Sequence, residues 1–391
     1  MTVSKPIVYV QKGRGPYANT RDVLAQMDLR HVRGKKILLK PNIGRAASPD
    51  TGIITNHDVV AATVDGFRES GAFVAIGESP IVGVDINEAF DVSGIASIAK
   101  KRNCPLIDMN KRRFVDVRVP GGMAVKTLKV CPEIFEFDYV VSIPVMKMHM
   151  HTGVTLSVKN MKGCLWRKSK VKFHMLAPIK GEDEKPINIA IADMSGVLKP
   201  HMAIIDGTIG MEGLGPSAGS AKPMDVVVAS FDPFAADAIA CRLMGTNAQK
   251  IAHLRIGSDR GYGVIRDEDI LVEPDHWLMW ASDFELPPEN LGFEFPGINV
   301  LDNQSCSACQ STLLLLLKRH KDKLFEYFPS DKPLNIAIGK GNADVPEGTI
   351  CIGNCTSVCK DRGIFIQGCP PVGSEILKAV AGKVRKESVK G

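Results

Sequence analysis

Four cysteines in the last quarter of the chain have types and spacings suited to metal chemistry. Cys306 and Cys309 stand two residues apart in Ser305-Cys306-Ser307-Ala308-Cys309, Cys355 follows Gly353-Asn354, and Cys369 lies in Gly368-Cys369-Pro370-Pro371. A two-residue gap lets two thiolates of one turn reach a common centre. Glycine beside a cysteine lets the backbone approach a bulky inorganic group. Proline after it stiffens the exit from the turn and is common beside iron–sulfur ligands. Four such thiolates match a [4Fe–4S] cube. They also fit a tetrahedral zinc site, but zinc ribbons usually present two CxxC knuckles, and Cys355 and Cys369 are split by thirteen residues. Thiol redox chemistry or plain core burial is a third reading. Cys351 and Cys359 flank Cys355 at a spacing of four, and either could replace it as a ligand. The glycine and turn-forming asparagine before Cys355 favour Cys355. Cys104, Cys131, Cys164 and Cys241 sit among apolar residues and read as small buried hydrophobes.

A second group is polar. Lys147-Met148-His149-Met150-His151-Thr152-Gly153-Val154-Thr155 follows an apolar run and precedes Lys159-Asn160-Met161-Lys162-Gly163. Lysines supply charge, asparagine supplies orientation, and histidine moves protons near neutral pH. Thr155, Lys159 and Lys162 share a face if that stretch is helical, and His174 can join them. A third group, Asp206 to Gly219, is glycine-rich and contains Glu212, Gly213 and Gly215. Its spacing is neither GxGxxG nor a P-loop, so it specifies no nucleotide. It reads as a loop after a strand Met202–Ile205, with Asp206 and Glu212 able to act as acid or base. A solvated basic face and a plain glycine loop are the bland alternatives. Asp232 reads as a helix cap.

These residues need elements to hold them. Strand and helix patterns alternate through the first 240 residues, including strands at Lys36–Pro41, Phe73–Gly77 and Tyr139–Pro144, and a helix capped by Asn56 and closed by Gly71. Val115–Val119 and Val125–Val130 read as a hairpin. Such alternation predicts an α/β layered fold with a mostly parallel sheet. Ligands in such sheets gather beyond the strand carboxyl ends. That rule selects Lys40 and Asn42, Glu78-Ser79, the Pro144–His149 stretch and Asp206-Gly207. A proline-rich stretch near Pro274–Pro296 reads as a connection, dividing a large domain (1–275) from a small cysteine-rich α/β iron–sulfur domain (298–391) by residues 276–297. Leu313–Leu317 reads as part of a buried helix.

Net charge is +6, and few aromatics interleave with the basic residues, which disfavours nucleic acid. No run reaches the length of a membrane span, and no export signal opens the sequence. Ten cysteines without such a signal imply reduced thiols in a cytoplasm. An oxygen-sensitive cluster fits an anaerobic host.

The ordered set Leu39-Lys40-Pro41-Asn42, Pro144 to His149, Thr155 to Gly163, Asp206-Gly207, Met211 to Pro216 and Asp232-Pro233 resembles the DUF362 family. The lysine–asparagine–lysine–glycine block of Lys159 to Gly163 is the most specific part. The resemblance implies an iron–sulfur module, although the CxxCxxC runs of two-cluster ferredoxins are absent. A looser likeness in architecture to lactate-racemase-like proteins implies a site between lobes.

The expected function is a [4Fe–4S] enzyme, an oxidoreductase or lyase, acting on a small anionic substrate where the two domains meet. His149, Lys159, Asp206 and Glu212 are the expected catalytic residues. Lys40, Asn42, Lys147, His151, Thr155, Asn160, Lys162, Gly213 and Gly215 are expected to bind substrate. Cys306, Cys309, Cys355 and Cys369 are the expected ligands. Lys147, His149, Lys159 and Lys162 should converge near Asp206–Gly219. Four thiolates leave no open iron and favour electron transfer; three would permit Lewis-acid chemistry. The alternative is a non-catalytic electron carrier or redox sensor docking on a protein partner. The remaining partner expectations are a redox protein and a homo-oligomer, with no membrane.

Overall fold

In a computed structural model of the chain, residues 4–177, 179–287, 295–305, 307–328, 333–368, 370–371 and 373–388 are described. Cys306 and Cys369 therefore lie outside the described residues. The chain divides after Pro287 into two units, each treated by itself.

In the large unit, β1 (Ile7–Lys12) and α1 (Gly15–Gln26) lead to β2 (Lys36–Pro41), α2 (His57–Glu69), β3 (Phe73–Glu78), helices α3 (Ile86–Val92) and α4 (Ile95–Lys101), and β4 (Leu106–Asp108). The antiparallel hairpin β5 (Val115–Arg118) and β6 (Thr127–Val130) follows. Next come β7 (Tyr139–Ile143), β8 (Val145–His149), β9 (Gly153–Thr155) and the helices α5 (Ser157–Asn160), α6 (Ser169–Lys172) and α7 (Pro186–Leu198). The unit continues with β10 (Met202–Glu212), β11 (Ser220–Ser230), α8 (Pro233–Leu243), α9 (Ala252–Asp259) and β12 (Leu271–Glu273). Ten strands form one sheet in the order β12-β1-β11-β10-β7-β2-β3-β4, with β8 beside β10 and β9 beside β8. Pairing is parallel except at β1–β11, β10–β11 and β8–β9. The fold is thus α/β with a mostly parallel sheet.

Local chemistry explains the boundaries. Asn56 caps α2 by accepting the Asp58 N–H, and Asp232 caps α8 by accepting from Phe234 and Ala235. Central strands are buried on both sides, as parallel sheets between helices require. Leu38 of β2 faces one apolar cluster, and Ile37 and Leu39 face the other.

The structure corrects one reading. Asp206 to Glu212 is not loop: β10 runs on to Glu212 and returns as β11. Its glycines permit close approach. A Cβ on Gly215 would stand 1.9 Å from the Met148 carbonyl oxygen, and one on Gly210 would stand 2.9 Å from the Met146 carbonyl oxygen. The glycine segment is therefore pressed against β8.

In the small unit, β13 (Ile298–Asp302), β14 (Leu334–Ile338), β15 (Thr349–Ile352) and β16 (Gly363–Ile366) form a parallel sheet in sequence order, accompanied by α10 (Ser307–Phe325) and α11 (Gly373–Ser388). Leu313, Leu316, Leu317 and Leu324 of α10 pack with Ile336, Ile350, Ile376 and Val380. Among the described residues, no helix is long and apolar enough to cross a membrane.

The short α5 depends on Asp237 of α8. That buried carboxylate accepts the Ser157 N–H at 2.8 Å, the Ser157 hydroxyl at 2.6 Å and the Val158 N–H at 3.0 Å. Asp237→Ala strands these donors in the interior, which should cost about 2–4 kcal/mol in urea unfolding. A loss below about 1 kcal/mol would show that α5 stands without its cap.

Candidate functional site

The site is organised around a buried ion pair. Lys40 ends β2 and Glu78 ends the neighbouring β3, and each is 1% exposed. Lys40 Nζ donates to both Glu78 carboxylate oxygens at 2.8 and 2.9 Å and to the Pro41 carbonyl at 2.8 Å. Glu78 also accepts the Ile43 and Ser79 N–H groups. Asn160 of α5 locks onto this pair by donating to the Lys40 carbonyl and to Ser142 Oγ of β7, while its Oδ1 accepts from Asn42 Nδ2. Gly163 is required beside it, because a Cβ there would stand 2.5 Å from Lys40 Nζ. Lys40 and Asn160, expected to bind substrate, are thus saturated by scaffold. The ammonium has no donor left over, and the asparagine ties three segments together.

Beyond the pair lies a cluster of cations. Lys147, buried on β8, donates to Asn42 Oδ1 and to the Ile53 carbonyl, both at 2.7 Å. Burial, reinforced by the charges of Arg45 and Lys40, brings its pKa down to about 7. Lys159 is 6% exposed and donates to Thr155 Oγ1 at 2.7 Å. Burial together with Lys162 and Lys147 holds it well below the ordinary lysine range. Lys162 Nζ donates to His174 Nε2. His149 Nδ1 accepts the His151 N–H at 3.1 Å. This fixes the ring proton on Nε2. Burial lowers the pKa of His149 strongly, with further lowering from Lys159, His151, His174 and Lys162. His174 is lowered by burial and by Lys162, Lys159 and His151. Lys147, His149, His151, Lys159, Lys162 and His174 thus act on one another within one cluster. Through β8 it lies beside the glycine segment, Lys147 pairing with Met211 of β10.

The expected carboxylates are engaged elsewhere. Asp206 accepts the Asn56 N–H at 2.7 Å and the Thr208 N–H at 2.9 Å, strapping β10 to the start of α2. Glu212 pairs with Lys222 at 3.0 Å and accepts the Glu285 N–H. Successive strand side chains point to opposite faces, so Glu212 projects away from the side on which Met211 faces Lys147. Gly213 and Gly215, expected to bind substrate, serve packing against Glu285 and the Met148 carbonyl.

Two residues escaped the sequence reading. Arg45 donates to Ser217 Oγ at 2.9 Å and adds its charge to that of Lys147. His253 of α9 is fully buried, and among the described residues neither ring nitrogen has a hydrogen-bond partner. Burial and the Lys159 charge lower its pKa to about 3. A lone histidine on an amphipathic helix carries no sequence signal. Ile251, two residues earlier, would meet a Cβ on Gly153 at 2.6 Å, which sets the start of α9 against β9.

In the small unit, the thiol-bearing segments follow the strand carboxyl ends. Cys309 lies in the first turn of α10 after β13, Cys355 follows β15, and Gly368 follows β16. Gly353 has φ +95°, and a Cβ there would be 3.5 Å from Cys309 Sγ. The Asn354 N–H donates to the Gly368 carbonyl, and the Gly368 N–H donates to Asn354 Oδ1. Cys351 and Cys359 face elsewhere, packing with Ala337 and Val345, whereas Cys309 packs with Ile350 and Ile352. The Cys359 thiol donates to the Asn342 carbonyl at 3.5 Å. Among the described residues, no three His, Cys, Asp or Glu side chains gather as a metal site.

Lys40→Met would leave the Glu78 carboxylate buried and uncompensated, and should cost about 3–5 kcal/mol in denaturant unfolding. Adding Glu78→Gln should recover part of that loss, because the charge goes while an acceptor for Ile43 and Ser79 remains. A double variant less stable than the single one would remove the pair from its central role.

Comparison with known proteins gives three findings. The family model described as domain of unknown function (DUF362) matches residues 37–242. The thylakoid-associated protein sll1697 of Synechocystis sp. (strain ATCC 27184 / PCC 6803 / Kazusa) is 28% identical over 267 residues, covering 65% of this chain and 80% of that protein. The lactate racemase apoprotein of Thermoanaerobacterium thermosaccharolyticum superposes with a TM-score of 0.42 at 12% identity, over 63% of this chain and 58% of that one. The family match spans more than half of the chain and takes in Lys40, Glu78, Lys147, Lys159, Asn160 and Gly163, so this chain belongs to the DUF362 family.

Proposed function

We propose that this chain is an enzyme that binds a small anionic substrate among Lys147, His149, His151, Lys159, Lys162 and His174, and that Cys306, Cys309, Cys355 and Cys369 carry a [4Fe–4S] cluster. One observation carries the anion reading: lysines and histidines are gathered in one largely buried cluster. Among the described residues, no carboxylate is among the charges acting on His149, Lys159, His174 or His253, and the one acting on Lys147 is Glu78, already paired with Lys40. Gathering such groups in the interior opposes folding through both desolvation and mutual repulsion. An oxyanion relieves both terms together. A protein that only carried electrons would have no use for the arrangement.

The small unit's described residues suit a cluster. Gly353 leaves open the space beside the Cys309 thiol, and Asn354 ties the turn before Cys355 to Gly368. When bound, a four-thiolate cube supplies one-electron transfer. Cys309→Ala and Cys355→Ala should each lose iron from a protein purified without oxygen, against about four irons per chain in the parent. Cys351→Ala and Cys359→Ala should keep it, since those thiols pack in a separate apolar cluster. A colourless protein holding a single zinc would refute the cluster.

The anion site predicts a pH dependence. Burial draws both Lys159 and Lys147 towards the neutral amine, Lys147 with a pKa of about 7. A bound anion favours the ammonium forms, so binding takes up protons and the affinity falls as pH rises through about 7. Calorimetry with malonate or phosphate should show roughly a tenfold loss per pH unit for each proton taken up. Lys147→Met should weaken binding by roughly tenfold or more with the circular-dichroism spectrum unchanged. Equal binding by a Lys147→Met/Lys162→Met double variant would count against the site.

A further inference from the structure

Lys159 differs from the other lysines of the cluster. Lys147 is committed to Asn42 and the Ile53 carbonyl, and Lys162 to His174. Lys159 Nζ makes one hydrogen bond among the described residues, to a hydroxyl, and is 6% exposed. Asp237 fixes the backbone that carries it by capping α5. Two histidines feel its charge. His149 offers Nε2–H, and His253 has two ring nitrogens without partners although it is fully buried. Buried polar atoms left without partners need an explanation in a native interior. His151, Lys162 and His174 of the same cluster are half-buried.

Building on the anion reading, we propose that Lys159 is a covalent catalytic residue. Its amine forms an imine with the carbonyl carbon of a small ketone or aldehyde whose carboxylate or phosphate is held by Lys147, Lys162 and Arg45. A lysine desolvated beside other cations is the form of this side chain that serves as a nucleophile at neutral pH. The downward pKa shift that burial, Lys162 and Lys147 impose agrees with that role. The nitrogen lone pair attacks the carbonyl carbon, and the C=O π pair moves to oxygen. The two protons that leave nitrogen depart with that oxygen as water. The step needs no oxidant, reductant or co-reactant. His149 and His253 are the groups that relay the protons, and this gives the partnerless His253 ring something to do.

Trapping decides the matter. The full chain is incubated with pyruvate or glyceraldehyde 3-phosphate, reduced with borohydride and mapped by peptide mass spectrometry. The expected result is an adduct on Lys159 exceeding that on any other lysine by roughly tenfold or more, which corresponds to about 1.4 kcal/mol of selectivity. It should be absent from Lys159→Arg, which keeps a long nitrogen-bearing side chain without a nucleophilic amine, and diminished in Lys147→Met. Adducts spread over the exposed lysines, with Lys159 unlabelled, would overturn the proposal. Mapping of the parent chain decides even if Lys159→Arg folds poorly. Malonate, which has no ketone or aldehyde carbonyl, separates the two claims by calorimetry. Malonate binding without trapping leaves the anion site standing and removes the imine. The absence of both removes the anion site as well.

Discussion

The Lys40–Glu78 pair is the constraint on which the rest of the large unit's site depends. Two opposite charges at the carboxyl ends of adjacent parallel strands are taken fully out of water. Such a pair is tolerable only when every remaining lone pair and proton is satisfied. The chain meets that demand from four directions. Pro41 accepts from the ammonium, Ile43 and Ser79 donate to the carboxylate, and Asn160 secures the Lys40 carbonyl. Meeting it anchors the end of α5 through Asn160 and leaves no room for a side chain at residue 163. Lys159 is thus held between this anchor and the Asp237 cap at the start of α5.

Separation of charge is the second theme. The acids of this region are all drawn into local duties. Glu78 answers Lys40, Asp206 holds the start of α2, Glu212 holds Lys222, and Asp237 caps α5. What remains among β8, α5 and the segment reaching His174 is a set of lysines and histidines bonded to hydroxyl, amide and imidazole groups. Burial then selects their neutral forms, because desolvation penalises whichever state carries charge. The two lysines therefore differ in their surroundings. Lys40 is held in an ion pair with Glu78, whereas burial and neighbouring lysines draw Lys159 towards the neutral amine.

Much of the fold was legible in the sequence because its signals are local. The Asn56 cap, the hairpin of residues 115–130 and the buried runs at Lys36–Pro41 and Tyr139–Ile143 all follow from neighbouring residues. What the sequence did not show depends on partners far away in the chain. Lys40 and Asn160 look like ligand-binding groups in a linear text, and only the tertiary fold shows them spent on Glu78 and on each other. Glycines between Asp206 and Gly219 read as a loop, because close approach to the carbonyls of β8 leaves no local trace. His253 was invisible for the same reason. Among the cysteines, alternation along β15 separates Cys351 from its neighbours Ile350 and Ile352, whereas the weight given to Cys355 rested on one glycine and one asparagine.

The contact between β8 and the glycines of β10–β11 also limits what can change. Gly210 and Gly215 admit no side chain without colliding with the Met146 and Met148 carbonyls. That wall cannot be resculpted by substitution. Change in this region is left to positions away from that contact, such as the half-buried His151, Lys162 and His174. A lineage could accumulate replacements there while the hairpin persists as an inert template.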